Sequence, residues 1–200
     1  PVCSPSRAGL LTGRYPLRTG IVFPVPAAND TFLGHLLHYG AIAFAKFGAV
    51  DVAGGVNAAP GLPHSEITLA EALRVAGYRT MAIGKWHLGD FSADPQQHPS
   101  QHGFDHFVGH PLSNDDWPVG FWRDGVREVA DIALDQERCT ALFTEEAVRF
   151  IETPSAAPFF LYLAHKDPHQ PFLPSARFAG RSEAGPYGDA VAELDWSVGE

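Results

Sequence analysis

One short apolar run constrains the fold of this 200-residue chain more than any other feature. Phe159-Phe-Leu-Tyr-Leu-Ala164 shows no alternation of polar and apolar residues, and it follows a proline-bounded stretch at 154–158. Such a run is typical of a strand that is buried on both faces, because a strand with one face in water alternates. A sheet of this kind needs a helical layer on each side, so the predicted fold class is α/β.

The regions around this strand carry further signals of helix and strand. Thr68 and Gly77 are the predicted N-cap and C-terminal stop of a helix, and Gly84 is predicted to end a strand. The most apolar stretch, Thr31–Val56, contains charged residues and is interpreted as a buried or partly helical excursion, not a membrane span. The predicted elements are helices at 69–76, 134–152 and 189–198 and strands at 78–83 and 159–164.

Composition narrows the classes of function. The net charge of −9 argues against a general nucleic-acid-binding surface, and two cysteines exclude a disulfide framework. The first twenty residues nevertheless hold three arginines and no acid. This local charge favours an anionic small substrate, although fluctuation in composition would explain it equally well.

The segment that begins at Cys3 is the strongest local pattern. Ser4 is a good N-cap, Pro5 suits the first helical position and Gly13 can end the helix. Cys3 would then lie just outside a helix N-terminus, where an anion is favoured, and Arg7 would reach the same anion. A buried cysteine before an ordinary capped helix is the alternative.

Three stretches in order resemble the type I sulfatases of the alkaline-phosphatase-like superfamily. Cys-x-Pro-Ser-Arg followed by Thr-Gly-Arg at 3–14 is similar to the first family signature, and 77–89 is similar to the second. Residues 158–171 resemble a later strand and histidine loop. The resemblance implies a mixed sheet with helices on both faces. It also implies that residues 1–200 are part of a single sulfatase catalytic domain that lacks its first strand and its C-terminal part.

The resemblance assigns an unusual nucleophile. It implies that a maturation enzyme oxidises Cys3 to Cα-formylglycine, whose hydrated aldehyde attacks sulfur, with Arg7 beside it. One hydroxyl would attack and the other would remain to expel sulfate by collapse, which divides a difficult step into two. A divalent cation, most simply Ca²⁺, is implied as cofactor, with Cys3 as formylglycine its only assignable ligand and the others outside residues 1–200.

The remaining site residues follow predicted strands. On an extended chain Lys85 and His87 would point to one side and Trp86 to the other, at the strand end where α/β sheets bind ligands. By resemblance Lys85 binds a sulfate oxygen, His87 bonds the formylglycine hydroxyls, and His169 is a sulfate ligand and general acid. Ser113 is matched to a serine that contacts sulfate. Without the resemblance, a solvated lysine and turn-forming histidines and serine remain the alternatives.

Other polar clusters receive weaker interpretations. Histidines at 98, 102, 106 and 110 would form a zinc-binding stripe on one helix, but Pro99 and two glycines interrupt it, so the spacing is interpreted as accidental. His165 and Lys166 are expected at the substrate rim, and the Asp115-Asp116 pair in a loop near the active site.

The implied function is hydrolysis of a sulfate ester to an alcohol or phenol plus sulfate. The expected partners are a sulfated small molecule or glycan and the maturation enzyme, with no nucleic acid. A phosphonate monoester or phosphodiester hydrolase, or a non-catalytic sulfatase-like domain, remains open. So does the compartment: lysosomal, secreted, periplasmic or cytoplasmic.

Overall fold

A computed structural model describes residues 2–26, 60–116, 118–131 and 135–200, so the predicted excursion at 31–56 lies outside the described residues. Short 3-10 turns precede the second strand and the fourth helix. The elements, in chain order, are α1 (Cys3–Thr12), α2 (Pro16–Thr19), α3 (Leu69–Val75), β1 (Arg79–Lys85), β2 (His106–His110), β3 (Phe121–Arg123), β4 (Val126–Val129), α4 (Cys139–Glu152), β5 (Phe159–Ala164) and α5 (Gly185–Gly199).

The strands form one mixed sheet of five in the order β4-β3-β2-β1-β5. β2, β1 and β5 are parallel, whereas β3 and β4 continue from β2 as an antiparallel meander. The carboxyl ends of the parallel strands therefore meet at one edge, where Lys85 pairs with His110 and Gly84 with Ala164. The α/β class and the mixed sheet are confirmed.

Helices cover both faces of the sheet, as predicted. Alternate residues of β1 point to opposite sides, so Ala82 belongs to one apolar cluster and Met81 and Ile83 to the other. The first cluster includes Ala8 and Leu11 of α1 and Ala70 of α3. The second includes four residues of α4: Cys139, Phe143, Ala147 and Phe150.

Two glycines let the parallel strands approach closely at their carboxyl ends. Gly84 and Gly109 are register partners with φ of 104° and 155°. A Cβ on Gly84 would collide with the backbone carbonyl of Ala164, and a Cβ on Gly109 with the carbonyl of Gly84. The parallel strands thus have no room for a side chain at this level, one residue before Lys85 and His110.

The apolar run at 159–164 forms β5 with the predicted bounds, but the expectation that it is buried on both faces is wrong. β5 lies at an edge of the sheet, and its residues before Ala164 are exposed or half-buried in the described part of the chain. The strand at 78–83 instead takes an interior position, between β2 and β5, and extends to Lys85, because Gly84 and Lys85 also pair with neighbouring strands.

Helix boundaries were predicted with mixed success. Thr68 does cap α3 in a capping box, since its Oγ1 accepts from Glu71 N (3.0 Å) while Glu71 Oε2 accepts from Thr68 N (2.8 Å). The long helix begins at Cys139, after a 3-10 turn, not at 134, which lies outside the described residues. α5 begins at Gly185, four positions before the predicted start at 189. Within the described part of the chain, no helix is long and apolar enough to span a membrane.

Candidate active site

The N-terminus of α1 presents Cys3, although not with the predicted cap. The helix begins at Cys3 itself with Val2 as N-cap, and its first backbone bond runs from Ser6 N to Val2 O (3.1 Å). Ser4 is not the cap, because its buried Oγ accepts from Val25 N (2.9 Å) in another segment. Half-exposed Cys3 therefore occupies the first turn, where unbonded N–H groups favour an anion. Gly13 ends the helix with φ 66°, as predicted.

Arg7 connects this helix to the sheet. Its Nη1 donates to the backbone carbonyl of Lys85 and lies 3.4 Å from the hydroxyl of Tyr162 on β5. Both partners are neutral, so the guanidinium charge is held in place but not compensated by them. Cys3 and Arg7 line an open cavity of about 540 Å³ that also contacts Tyr162.

Lys85 is the last residue of β1 and is only 2% exposed. Its Nζ donates to Ser113 Oγ at 2.7 Å. Burial lowers the Lys85 pKa to about 8, with attraction to a Cys3 thiolate opposing and repulsion from Arg7 adding to this shift. A lysine so poorly solvated gains from an anion, since an anion would restore the interactions that burial removes.

His87 reaches the same cluster by a left-handed backbone, with φ 54°, so the simple alternation predicted for 85–87 does not hold. Its Nε2 lies 3.0 Å from Val25 O, and because a carbonyl only accepts, Nε2 carries the proton. The ring is 1% exposed, and burial and then the cations Lys85 and Arg7 hold its pKa well below the ordinary value. Its buried Nδ1 has no hydrogen-bond partner in the described residues. His87 is thus a neutral imidazole with a free acceptor.

Ser113 opens a loop that follows β2. Its Oγ accepts from Lys85, and its backbone N donates to Asp116 Oδ2 (2.8 Å). Asp116 Oδ2 also lies 4.0 Å from His87 Nε2. The expected loop near the site is therefore present, and it brings Ser113 and Asp116 to both residues at the end of β1.

His169 lies in the loop after β5 and is half-buried. Its Nδ1 donates to the backbone carbonyl of Gln170 (2.7 Å) and lies 3.9 Å from Asp115 Oδ1. Asp115 also attracts Lys85 electrostatically. The 113–116 loop thus links His169 to the residues that end β1.

The charges of this cluster are of one sign at its centre. Within the described ranges, neither Arg7 nor Lys85 lies within 4.0 Å of a carboxylate oxygen. Two buried or half-buried cations without paired carboxylates, beside a helix N-terminus, are suited to bind a tetrahedral oxyanion.

The described residues do not complete a metal site. In the parts of the chain that the structure describes, no three His, Cys, Asp or Glu side chains are placed to hold an ion. The four spaced histidines do not form a helical stripe: 98 and 102 lie around a 3-10 turn, and 106 and 110 on β2. Their interpretation as an accidental repeat is consistent with this arrangement.

Two other predictions concern the loop after β5, and the structure corrects one of them. Lys166 is not a rim residue, because its fully buried Nζ pairs with both carboxylate oxygens of Asp167 at 2.9 Å. Asp167 in turn accepts from Thr140 on α4 (2.8 Å). His165 is half-buried and bonds Ser197 of α5 (3.0 Å). Both side chains hold the loop to the helices.

Sequence reasoning missed Tyr162 and Asn114 as members of the site, whereas the Asp115-Asp116 pair was expected in a loop near it. Tyr162 was visible as the only polar group in the apolar run, since buried tyrosine hydroxyls need a partner. Asn114 carried no signal, because loop asparagines are common in turns.

Comparison with known proteins gives a consistent result. The family model described as Sulfatase matches residues 1–200. N-acetylgalactosamine-6-sulfatase of Mus musculus is 37% identical over 100% of this chain and 37% of its own length, and an arylsulfatase of Hemicentrotus pulcherrimus is 34% identical over 98% and 34%. The solved PsFucS1 sulfatase from Pseudoalteromonas sp. superposes with a TM-score of 0.71 at 26% identity, over 100% of this chain and 41% of that one. The chain therefore spans well under half the length of these relatives.

Proposed function

Because the chain belongs to the sulfatase family, we propose that it forms the anion-binding part of an enzyme that hydrolyses a sulfate ester to an alcohol or phenol plus sulfate. The observation that carries the proposal is the pair of Arg7 and Lys85 beside Cys3, neither of which forms an ion pair with a carboxylate in the described residues. Lys85 binds a sulfate oxygen. Ser113 Oγ, which accepts a hydrogen bond from Lys85, contacts the same sulfate group. Preorganised donors of this kind stabilise the charge that develops in a transition state.

The nucleophile is proposed to be Cys3 after its oxidation to formylglycine by a maturation enzyme. The hydrated aldehyde supplies one hydroxyl that attacks sulfur and a second whose proton loss expels sulfate. The site suits this nucleophile for two reasons. Cys3 lines the open cavity, and Cys3 and Arg7 are both close enough to Lys85 to shift its pKa. The free Nδ1 of His87 accepts a hydroxyl proton, because its Nε2–H is already donated to Val25 O.

His169 is proposed as the general acid at the leaving oxygen. Nδ1 is occupied by the Gln170 carbonyl, so Nε2 is the nitrogen that serves the substrate. A divalent cation, Ca²⁺ by family resemblance, is proposed as cofactor with Cys3 as one ligand. The described residues do not complete a site for this cation.

The proposed substrate class is a sulfated small molecule or glycan. The relative from Mus musculus bears the name of an amino-sugar sulfatase, which supports the glycan. A phosphonate monoester or phosphodiester hydrolase is the second candidate, because the same buried cations accept any tetrahedral oxyanion.

A single assay set tests the function. The full-length protein, co-expressed with a formylglycine-generating enzyme, is assayed on 4-nitrophenyl sulfate and a bis-aryl phosphodiester. A higher kcat/KM for the sulfate supports the proposal, and a higher value for the phosphodiester supports the second candidate. No turnover of either, with the aldehyde at position 3 confirmed by peptide mass spectrometry, identifies a non-catalytic domain.

Residues 1–200 are further proposed to be part of one catalytic domain. The support is β5, an apolar strand paired only with β1 among the described strands, which leaves backbone groups and side chains for a further partner. We expect residues 1–200 alone to be inactive and to unfold without cooperativity. Cooperative unfolding and activity of that segment would contradict the proposal.

A further inference from the structure

The orientation of His169 is determined by a neighbouring loop and not by the histidine's own strand. His169 Nδ1 lies 2.7 Å from the Gln170 carbonyl, which has no proton to give, so Nδ1 is the protonated nitrogen. Nε2 is then left to exchange a proton with substrate. This assignment of the two nitrogens depends on where the Gln170 carbonyl is held.

Asn114 holds that carbonyl. Its Nδ2 donates to Gln170 O and to Gln136 Oε1, both at 3.2 Å, while its own backbone carbonyl accepts from Gln136 Nε2 at 2.7 Å. Asn114 is fully buried and Gln136 is 1% exposed. The Gln170 carbonyl therefore has a rigid donor behind it, and the His169 ring is fixed through that donor.

Asp115, the next residue, supplies a charge. Its Oδ1 lies 3.9 Å from His169 Nδ1, too far for a hydrogen bond but close enough for the carboxylate to attract positive charge on the ring. The Asp115 side chain is 46% exposed, so solvent weakens this attraction without removing it. One short loop thus supplies both an orientation and a counter-charge for His169.

We propose that Asn114 and Asp115 are positioning residues that keep His169 ready to protonate the ester oxygen, and so determine how well poor leaving groups are cleaved. The inference rests on the proposed sulfatase function. In the step concerned, the attacking hydroxyl gives its proton to His87 Nδ1 and its oxygen bonds to sulfur, while the bond from sulfur to the ester oxygen breaks. The electron pair goes to the ester oxygen, which takes the Nε2 proton. The neutral ring keeps its proton on Nδ1, which still donates to the Gln170 carbonyl.

The consequence is a dependence on leaving group. A nitrophenolate departs without a proton, whereas the alkoxide of a sugar or an alkyl alcohol does not. Loss of the Asp115 charge should therefore slow the cleavage of basic leaving groups and leave activated esters nearly unchanged. A merely structural role for Asp115 would lower both equally.

The test uses the full-length matured enzyme with 4-nitrophenyl sulfate and an alkyl sulfate. For Asp115→Asn we expect kcat/KM to fall at least about tenfold on the alkyl ester and less than about threefold on the nitrophenyl ester. The matched control is Asp124→Asn, because Asp124 also lies beside a histidine, His106 (3.2 Å), but away from the site. It should change neither rate.

Double substitution separates the possible outcomes. In a His169→Ala background, Asp115→Asn should have no further effect, since its influence passes through the lost ring. Asn114→Ala should reproduce the leaving-group dependence. If that variant fails to fold, Asp115→Asn alone decides. Equal losses on both esters, or an undiminished Asp115 effect without His169, would overturn the inference while sulfatase activity persists. A wild-type enzyme without any sulfatase activity would overturn the proposed function and the inference together.

Discussion

Two clusters that contain arginine lie on opposite sides of this sheet. One pairs its cations with carboxylates, and the other places them beside neutral groups in the described residues. Arg123 on β3 donates to Glu146 at 2.8 and 3.0 Å and to Glu128 at 2.9 Å, and these carboxylates raise its pKa further. Arg149 adds a third contact to Glu146 at 2.7 Å. Every charge in this cluster has a partner of opposite sign, so its role is to hold β3 and β4 against α4.

The cluster around Cys3 lacks such compensation. Arg7 contacts a carbonyl and a hydroxyl, and Lys85 contacts a serine, in the part of the chain that the structure describes. Buried cations without carboxylates destabilise a fold unless an anion joins them. The cluster paired with carboxylates therefore contributes stability, whereas the cluster around Cys3 leaves its positive charge available to a ligand.

The largest expected effect is at Cys3, around which the uncompensated charges gather. Cys3→Ser should abolish turnover, because a serine ester of sulfate has no second hydroxyl to expel the product. Hydrolysis of 4-nitrophenyl sulfate by the full-length variant, compared with the matured wild type, checks this. Cys139 serves as the control: burial raises its thiol pKa to about 12, so Cys139→Ala should remain active. Rapid turnover by Cys3→Ser would contradict the assignment of the nucleophile.

Neutral substitutions in the two clusters should have opposite effects on activity and on the free energy of unfolding. Lys85→Met should lower kcat/KM by roughly 10²-fold or more yet raise the free energy of unfolding by about 1–3 kcal/mol at pH 7. Arg123→Met should do the reverse, with activity nearly kept and about 1–3 kcal/mol lost, because Glu146 is left buried without its main partner.

Urea unfolding and initial rates measure both quantities. Because burial lowers the Lys85 pKa to about 8 from 10.5, the gain from Lys85→Met should be complete below pH 8. It should shrink as the pH rises toward 10.5, where the lysine is neutral in either state. Identical behaviour of the two variants would break the distinction between the clusters.

Removal of single anion-binding groups should have effects of similar size to each other. Arg7→Ala and His169→Ala should each lower kcat/KM roughly 10²-fold. His106→Ala, on the exposed start of β2, should change little. His102→Ala is a poorer control, because this ring is fully buried against His64 and Trp86 and its loss should reduce stability.

A smaller and graded effect is expected from pH. Only protonated Lys85 attracts sulfate, so kcat/KM should fall about tenfold per unit once the pH exceeds roughly 8, not roughly 10 as for an exposed lysine. The pH profile of kcat/KM measures this limb, and Lys85→Met should lack it. A limb that persists in that variant belongs to another group.

The smallest effect is expected at Ser113. Ser113→Ala removes one neutral hydrogen bond from Lys85, so kcat/KM should fall by about threefold to tenfold with Lys85 still charged. Steady-state kinetics on 4-nitrophenyl sulfate measures it. A loss as large as that of Lys85→Met would mean that Ser113 acts on substrate by itself.

Local patterns in the sequence determined the elements, since each depends on neighbours in the chain. The α3 capping box at Thr68, the stop at Gly13 and the apolar run of β5 all involve residues within a few positions, and all three are found in the structure. The ordered motifs around Cys3, Lys85 and His169 likewise indicated the family that the full-chain match shows. What they assigned to each side chain stays a proposal.

Only the tertiary structure decided which polar groups meet, because the deciding contacts join residues far apart in the chain. Ser4 does not cap α1, because its Oγ accepts from Val25 N. β5 is an edge strand of the described sheet, because it pairs only with β1. Lys166 is buried by pairing with Asp167. Asn114 meets Gln170 across 56 positions. The burial of a polar side chain and the choice of its partner depend on how strands and helices pack. The spacing of residues within one segment does not determine that packing.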